Sequence, residues 1–110
     1  MTTAWEQAWT KHLGSATSEA EFQATVIKDA KQLGWRVYHT HDSRRSNPGF
    51  PDLVLVRERV IWAELKTAHG RVNAQQQAWI DRLQAAGQEA YLWRPQDIHE
   101  ITRILARRAA

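Results

Sequence analysis

The chain has 110 residues, 43% of them hydrophobic and 25% charged, with 15 Lys and Arg against 12 Asp and Glu for a formal net charge of +3. That length suits a single domain, residues 1–110, with a packed core over about 18–105, and the balance is that of an ordinary folded protein rather than a disordered one. The absence of cysteine excludes disulfides, thiolate metal sites and cysteine nucleophiles. No apolar run approaches the ~18 residues of a membrane span, and the first residues lack the basic and apolar regions of a secretory signal. The expectation is a cytoplasmic protein, not secreted and without membrane contact. The mild positive charge is compatible with nucleic acid without demanding it.

Along the chain, Trp5, Trp9 and Leu13 stand four apart and predict a short helix over 3–13. Ser18-Glu19-Ala20-Glu21 has the form of a capping box and opens a second helix with apolar Phe22, Val26, Ile27, Ala30 and Leu33, stopped by Gly34. Trp35 to Thr40 is rich in aromatic and β-branched residues and predicts a strand. A polar loop follows, carrying Ser43, Arg44, Arg45 and Ser46 and closing in Pro48-Gly49. Two more strands are predicted, Asp52 to Val56 and Val60 to Lys66, joined by Arg57-Glu58-Arg59. Asn73 is placed to cap a third helix with apolar Trp79, Ile80, Leu83 and Ala86, ended by Gly87. Glu89 to Trp93 reads as a strand, and Pro95 starts a last helix bearing Ile98, Ile101, Ile104 and Leu105. The order α-α-β-β-β-α-β-α predicts an α/β fold with a mixed four-stranded sheet flanked by helices.

The chemistry sits on the central hairpin. If Arg57, Glu58 and Arg59 form the turn, Val56 faces Val60, Val54 faces Trp62 and Asp52 faces Glu64. Alternation then projects Asp52, Glu64 and Lys66 from one face, while Leu53, Leu55, Ile61, Ala63 and Leu65 make the other face wholly apolar. A slip of one residue would mix the two sets. Opposed carboxylates are strongly unfavourable: two unit charges about 4 Å apart repel by roughly 4 kcal/mol at an effective dielectric of about 20. A divalent cation between them removes that penalty. The bland alternative is a turn aspartate and a solvent-facing Glu64–Lys66 pair. A three-residue hairpin loop also ordinarily wants a left-handed residue, and Arg-Glu-Arg offers no glycine.

At these residues the chain resembles the VRR-NUC (virus-type replication-repair nuclease) family of the PD-(D/E)xK nuclease superfamily. Pro51-Asp52 followed by Glu64-Leu65-Lys66 matches the superfamily core. Gly49-Phe50-Pro51-Asp52-Leu53-Val54 is similar to the family's G-x-PDL segment, Ala63-Glu64-Leu65-Lys66 to its ELK strand, and Gly70 to Gln76 to the stretch that opens the following helix. Leu83 to Gly87 resembles the segment closing that helix, and Glu21, Phe22 and Val26 with Gly34-Trp35 resemble the family's first helix.

The resemblance implies a restriction-endonuclease-like core that cuts DNA with Mg²⁺ or Mn²⁺ and no organic cofactor. Glu21, Asp52, Glu64 and the Leu65 carbonyl would supply the oxygen ligands that hard cations require. Lys66 would orient or deprotonate the attacking water, and Gln76 would sit beside Lys66 and position it. Ser43, Arg44, Arg45 and Ser46 would contact phosphates. Structure-selective action on branched DNA such as Holliday junctions or flaps, a homodimer, and a repair role in a phage or mobile element are further implications. Bland roles stand beside these. Glu21 and Gln76 both occupy capping positions. His39, His41 and His69 suit structural or solvated places, and Arg103, Arg107 and Arg108 suit a solvated tail. A non-catalytic DNA-binding or assembly module on the same fold, and a metal-dependent RNase, are the alternative functions.

Overall fold

In the computed structural model, residues 17–40 and 45–109 are described. The chain runs α1 (Glu19–Gln32), β1 (Arg36–His39), β2 (Leu53–Val56), β3 (Val60–Leu65), α2 (Ala74–Ala85), β4 (Glu89–Trp93), a 3₁₀ turn (Pro95–Asp97) and α3 (Ile98–Ala106). This is the expected order from the second predicted helix onward. The helix expected over 3–13 lies outside the described residues, as do His41, Ser43 and Arg44. The sheet order is β1-β2-β3-β4, antiparallel through β3 and parallel between β3 and β4. The fold is α/β, a mixed four-stranded sheet flanked by three helices.

Local chemistry sets the boundaries. Ser18 Oγ accepts from the Glu21 amide at 3.1 Å and starts α1. Gly34, at φ 92°, turns the chain out of that helix in a conformation that a side chain disfavours. The hairpin has the expected register: Leu53 faces Ala63, Val54 faces Trp62, Leu55 faces Ile61 and Val56 faces Val60. Its inner face is apolar throughout. Leu53, Leu55, Ile61, Ala63 and Leu65 are fully buried against Phe22, Val26 and Ala30 of α1 and Ile98, Ile101 and Leu105 of α3. Each such aliphatic or aromatic side chain contributes roughly 1.5–3 kcal/mol of transfer free energy.

The other face is only half covered. α2 packs over β4 and the adjoining part of β3. Of its predicted apolar positions only Ile80 is buried; Trp79 and Leu83 are half-buried and Ala86 is exposed. The helix lies over one side of the sheet, so on the β1–β2 side Tyr38 and Val56 remain 62% and 44% exposed.

The turn between β2 and β3 is the expected Arg57-Glu58-Arg59, with Val56 facing Val60, but it lacks the left-handed residue that such a loop ordinarily carries. No residue other than glycine has positive φ among the described residues, so Arg57-Glu58-Arg59 makes its turn without a left-handed residue. The Arg57 amide donates to the Arg59 carbonyl at 3.0 Å. Side chains supply the remaining support. Arg57 Nη1 donates to the carbonyls of Leu33 and Leu105, both at 3.0 Å, and so caps the C-terminal ends of α1 and α3 together. Arg57 and Arg59 both stand over the Trp35 ring, 4.5 and 5.0 Å from its centre. Trp35 Nε1 in turn donates to the same Leu105 carbonyl at 2.9 Å.

The Arg57 side chain is 8% exposed. Its replacement by Ala therefore orphans partly buried carbonyls and is expected to destabilise the fold by about 2–3 kcal/mol. Thermal melts should show a midpoint about 10–20 °C lower. Arg57→Lys should recover only part of that loss, because one ammonium cannot reproduce the planar fork.

Candidate metal and phosphodiester site

Asp52 and Lys66 lie one residue outside the paired segments, at the end of the hairpin away from its turn. They still face inward to a common point, because neighbouring backbone holds both. Thr40 donates its amide to the Asp52 carbonyl at 3.0 Å and its hydroxyl to the Pro51 carbonyl at 3.1 Å. Asp52 Oδ2 accepts from the Leu65 amide at 2.8 Å, which carries the side chain across to β3 where the ladder stops. The Lys66 amide donates to the Trp93 carbonyl at 3.0 Å and extends the β3–β4 pairing by one step. Leu65 is fully buried at the end of β3.

Glu64 is the unusual residue. It is 2% exposed, on the sheet face opposite the apolar core. Its Oε2 accepts from Gln76 Nε2 at 3.4 Å, while its Oε1 is buried with no hydrogen-bond donor. Burial first, then the charge of Asp52 and a hydrogen bond with it, pushes the Glu64 carboxyl far above its ordinary 4.5, against the pull of Lys66. A carboxylate in this setting costs several kcal/mol unless a proton or a cation compensates it.

The acid of α1 that the structure brings to Asp52 and Glu64 is Glu19, where the expectation named Glu21. One carboxylate oxygen from each of Glu19, Asp52 and Glu64 lies within 4.8 Å of the others. Burial and then Asp52 raise the Glu19 carboxyl, and Lys66 pulls it back. Helix geometry accounts for the difference in placement. At about 100° per residue, Glu19 lies in line with Phe22 and Val26, the buried stripe that faces the sheet, whereas Glu21 is turned away by about half a revolution. Both acids are exposed, and the Glu21 amide serves the Ser18 cap. The signal was in the sequence: an acid three and seven residues before buried apolar positions shares their face.

Gln76 does two things at once. With Asn73 it completes a capping box: the Gln76 amide donates to Asn73 Oδ1 at 2.8 Å and Gln76 Oε1 accepts from the Asn73 amide at 3.1 Å. With Oε1 so engaged, the NH₂ end is the one turned to Glu64. Its direct hydrogen bond is thus with Glu64, two residues before Lys66 on the same strand end. Gly49 makes this approach possible: it packs so tightly on the first turn of α2 that a Cβ there would fall 2.5 Å from the Gln75 carbonyl carbon and 2.7 Å from the Gln76 nitrogen.

A small cavity of about 90 Å³ opens on the acids, lined by Thr40, Ser46, Asn47, Gly49, Phe50, Asp52, Glu64 and Gln76. Phe50 anchors its rim, meeting Trp62 and Trp79 edge-on at 6.1 and 5.1 Å. Ser46, expected on phosphates, lines this cavity, and Arg45 is exposed nearby in sequence. His39 ends β1 and His69 is exposed in the loop after Lys66. Of the C-terminal arginines, Arg103 pairs with Glu100 at 2.7 Å and Arg107 with Glu89 at 3.2 Å.

The residues present fit a divalent cation. Three carboxylates converge, all the donors are hard oxygens, and one buried oxygen lacks any protein donor.

The VRR-NUC domain family model matches residues 3–96. A solved VRR-NUC domain superposes with a TM-score of 0.67 at 18% identity, over 80% of this chain and 97% of the other. A Holliday junction resolvase, Hjc from Archaeoglobus fulgidus, superposes with a TM-score of 0.51 at 20% identity, over 68% of this chain and 67% of the other. At these identities both likenesses speak to the fold. No curated protein matches the sequence.

Proposed function

Because the chain belongs to the VRR-NUC family, a family of nucleases, we propose that it hydrolyses DNA phosphodiester bonds with a divalent cation held by Glu19, Asp52 and Glu64. The observation that carries this reading is the buried, donor-poor Glu64 facing two further acids beside Lys66. Mg²⁺ or Mn²⁺ at these oxygens, joined by the Leu65 carbonyl, would polarise a phosphoryl oxygen and lower the pKa of a bound water. Glu64 and Asp52 hold opposed negative charge that only a cation or a proton satisfies. Lys66 places a positive charge against the acids and stands where it can orient a water and balance charge on the phosphate. Gln76 steadies Glu64 through its amide, and the cap at Asn73 keeps that amide in one orientation. Ser46, with Arg45 and the neighbouring Ser43 and Arg44, would meet the phosphates flanking the cut.

Branched DNA is the proposed substrate, in keeping with the fold shared with a Holliday junction resolvase. Symmetric cutting of a junction would require two sites, hence a homodimer. The decisive experiment offers a four-way junction, a flap, a linear duplex and a structured RNA with and without Mg²⁺. Cation-dependent cutting with the junction preferred is the expected outcome, and Lys66→Ala should abolish it. Preference for RNA would identify an RNase, and binding without cutting would identify a non-catalytic module. Sedimentation that shows only monomer under cleavage conditions would overturn symmetric cutting.

The choice of helix acid has its own test. Glu19→Ala should raise the Mg²⁺ concentration needed for half-maximal cleavage by about tenfold or more, whereas Glu21→Ala should stay within about twofold of wild type. The reverse pattern would restore Glu21 to the site.

A further inference from the structure

Two residues, Arg71 and Val72, separate Gly70 from the Asn73 cap, and Lys66 directly precedes the Thr67–Gly70 turn. This short segment therefore joins the lysine to the helix that carries Gln76. Its sequence, Thr67-Ala68-His69-Gly70-Arg71-Val72, contains little to fix it: no buried apolar anchor lies between Leu65 and Ile80. The turn has one long internal bond, from the Gly70 amide to the Thr67 carbonyl at 3.3 Å.

What holds it comes from outside. Arg94 Nη1 donates to the Thr67 carbonyl and to the Gly70 carbonyl, both at 2.8 Å. These are charge-assisted bonds from one nitrogen to the two ends of the turn. Gln96 Nε2 adds a donor to the Ala68 carbonyl at 3.1 Å. Arg94 is itself fixed. Its amide donates to Asp97 Oδ2 at 2.9 Å, and its carbonyl accepts from the Asp97 amide at 2.9 Å. It also follows Trp93, whose carbonyl binds the Lys66 amide. The same stretch of chain thus pins Lys66 at its backbone and clamps the turn that leaves it.

We infer that Arg94 is a positioning residue for the reaction, which bridges the Thr67 and Gly70 carbonyls and thereby holds Lys66 and, through the Asn73 cap, Gln76 against Glu64. The inference rests on the nuclease reading given above. Arg94 itself touches none of the three acids through any of its four bonds described here. Its effect should therefore fall on turnover rather than on DNA or cation binding.

Arg94→Met keeps the aliphatic stem and removes the donors; Arg94→Lys keeps a cation and donors on a shorter stem. In the full chain, Arg94→Met should lower kcat by about tenfold or more, with KM for DNA and the Mg²⁺ dependence within about twofold of wild type. Arg94→Lys should regain a substantial part of kcat. Amide hydrogen exchange on the DNA-free protein supplies the second measurement. The Gly70 amide should exchange about tenfold faster in Arg94→Met, while Ile61 and Leu65 in β3 keep their wild-type rates. A variant that cuts as well as wild type overturns the inference. So does one in which KM, strand exchange and thermal midpoint all shift with kcat, since that is loss of fold. Wild-type protein that cuts no nucleic acid with any cation overturns the nuclease reading instead, and the Gly70 exchange rate still decides whether Arg94 holds the turn.

Discussion

Glu64→Gln raises the thermal midpoint of the cation-free protein at pH 8, abolishes its response to Mg²⁺ and lowers cleavage by about a hundred- to thousandfold; these are the expected results of replacing a buried carboxyl, which the fold keeps protonated until a cation binds, with an amide that cannot ionise. Burial, then the charge of Asp52 and a hydrogen bond with it, pushes the Glu64 carboxyl up to about 9 from an ordinary 4.5. In the unfolded chain the group ionises at the ordinary value. Between those two values the folded chain holds a proton that the unfolded chain has lost. Stability contributed by the neutral carboxyl is thus fully present below about 4.5 and is lost progressively as pH rises through the folded value. The slope approaches at most about 1.4 kcal/mol per pH unit. Glu19, also raised, bends the curve the same way.

Gln has the same shape and no charge to lose, so Glu64→Gln should flatten the pH dependence. At pH 8 it should gain several kcal/mol, at most about 5, over cation-free wild type, with a midpoint higher by more than about 10 °C. Mg²⁺ should do for wild type what the substitution does permanently. It should stabilise the fold, release a proton on binding and bind more tightly as pH rises within the window. Calorimetry in two buffers of different ionisation enthalpy counts that proton. A wild-type midpoint that neither falls with pH nor rises with Mg²⁺ would mean that Glu64 is no metal ligand.

The second large effect is steric. Gly49→Ala should cost about 2–4 kcal/mol and lower cleavage out of proportion to that loss. Gly49 has φ 84°, where a side chain is strained by roughly 1–2 kcal/mol. The added methyl would also lie 2.5 Å from the Gln75 carbonyl carbon and 2.7 Å from the Gln75 oxygen and the Gln76 nitrogen. These are backbone atoms of a helix's first turn and cannot swing aside. Relief requires the loop or α2 to move: motion of α2 withdraws Gln76 from Glu64, and motion of the loop disturbs the cavity wall that runs into Asp52. Gly87→Ala is the matched control. Its φ is 81°, yet nothing lies within 4 Å of the added carbon. It should show the conformational strain alone, about 1 kcal/mol or 4–8 °C, with cleavage unchanged. Equal losses for the two substitutions would show that the contact at Gly49 relaxes freely and does not hold Gln76.

Much of this molecule was legible in its residues. The alternation of Leu53, Leu55, Ile61, Ala63 and Leu65 admits one hairpin register, since any slip would bury charge and expose the core, and that register brings Asp52 to Glu64. Caps at Ser18 and Asn73, and glycines at 34 and 87, mark helix ends by local bonding and local φ, which depend on near neighbours only. The hairpin turn was the local rule that failed. Arg57 and Arg59 draw their support from Trp35 and from the ends of two helices far along the chain, so a window of three residues could not reveal it.

The sequence by itself therefore determined the elements, the sheet face that carries the chemistry and the pair of opposed acids on it, because each follows from periodicity over a few residues. Only the tertiary structure decided which helix acid completes the cluster, how deeply Glu64 is buried and what braces the turn after Lys66. Those depend on how α1, α2 and the segment after β4 dock on the sheet. Docking sums many weak contacts between residues distant in the chain, and no short stretch encodes it.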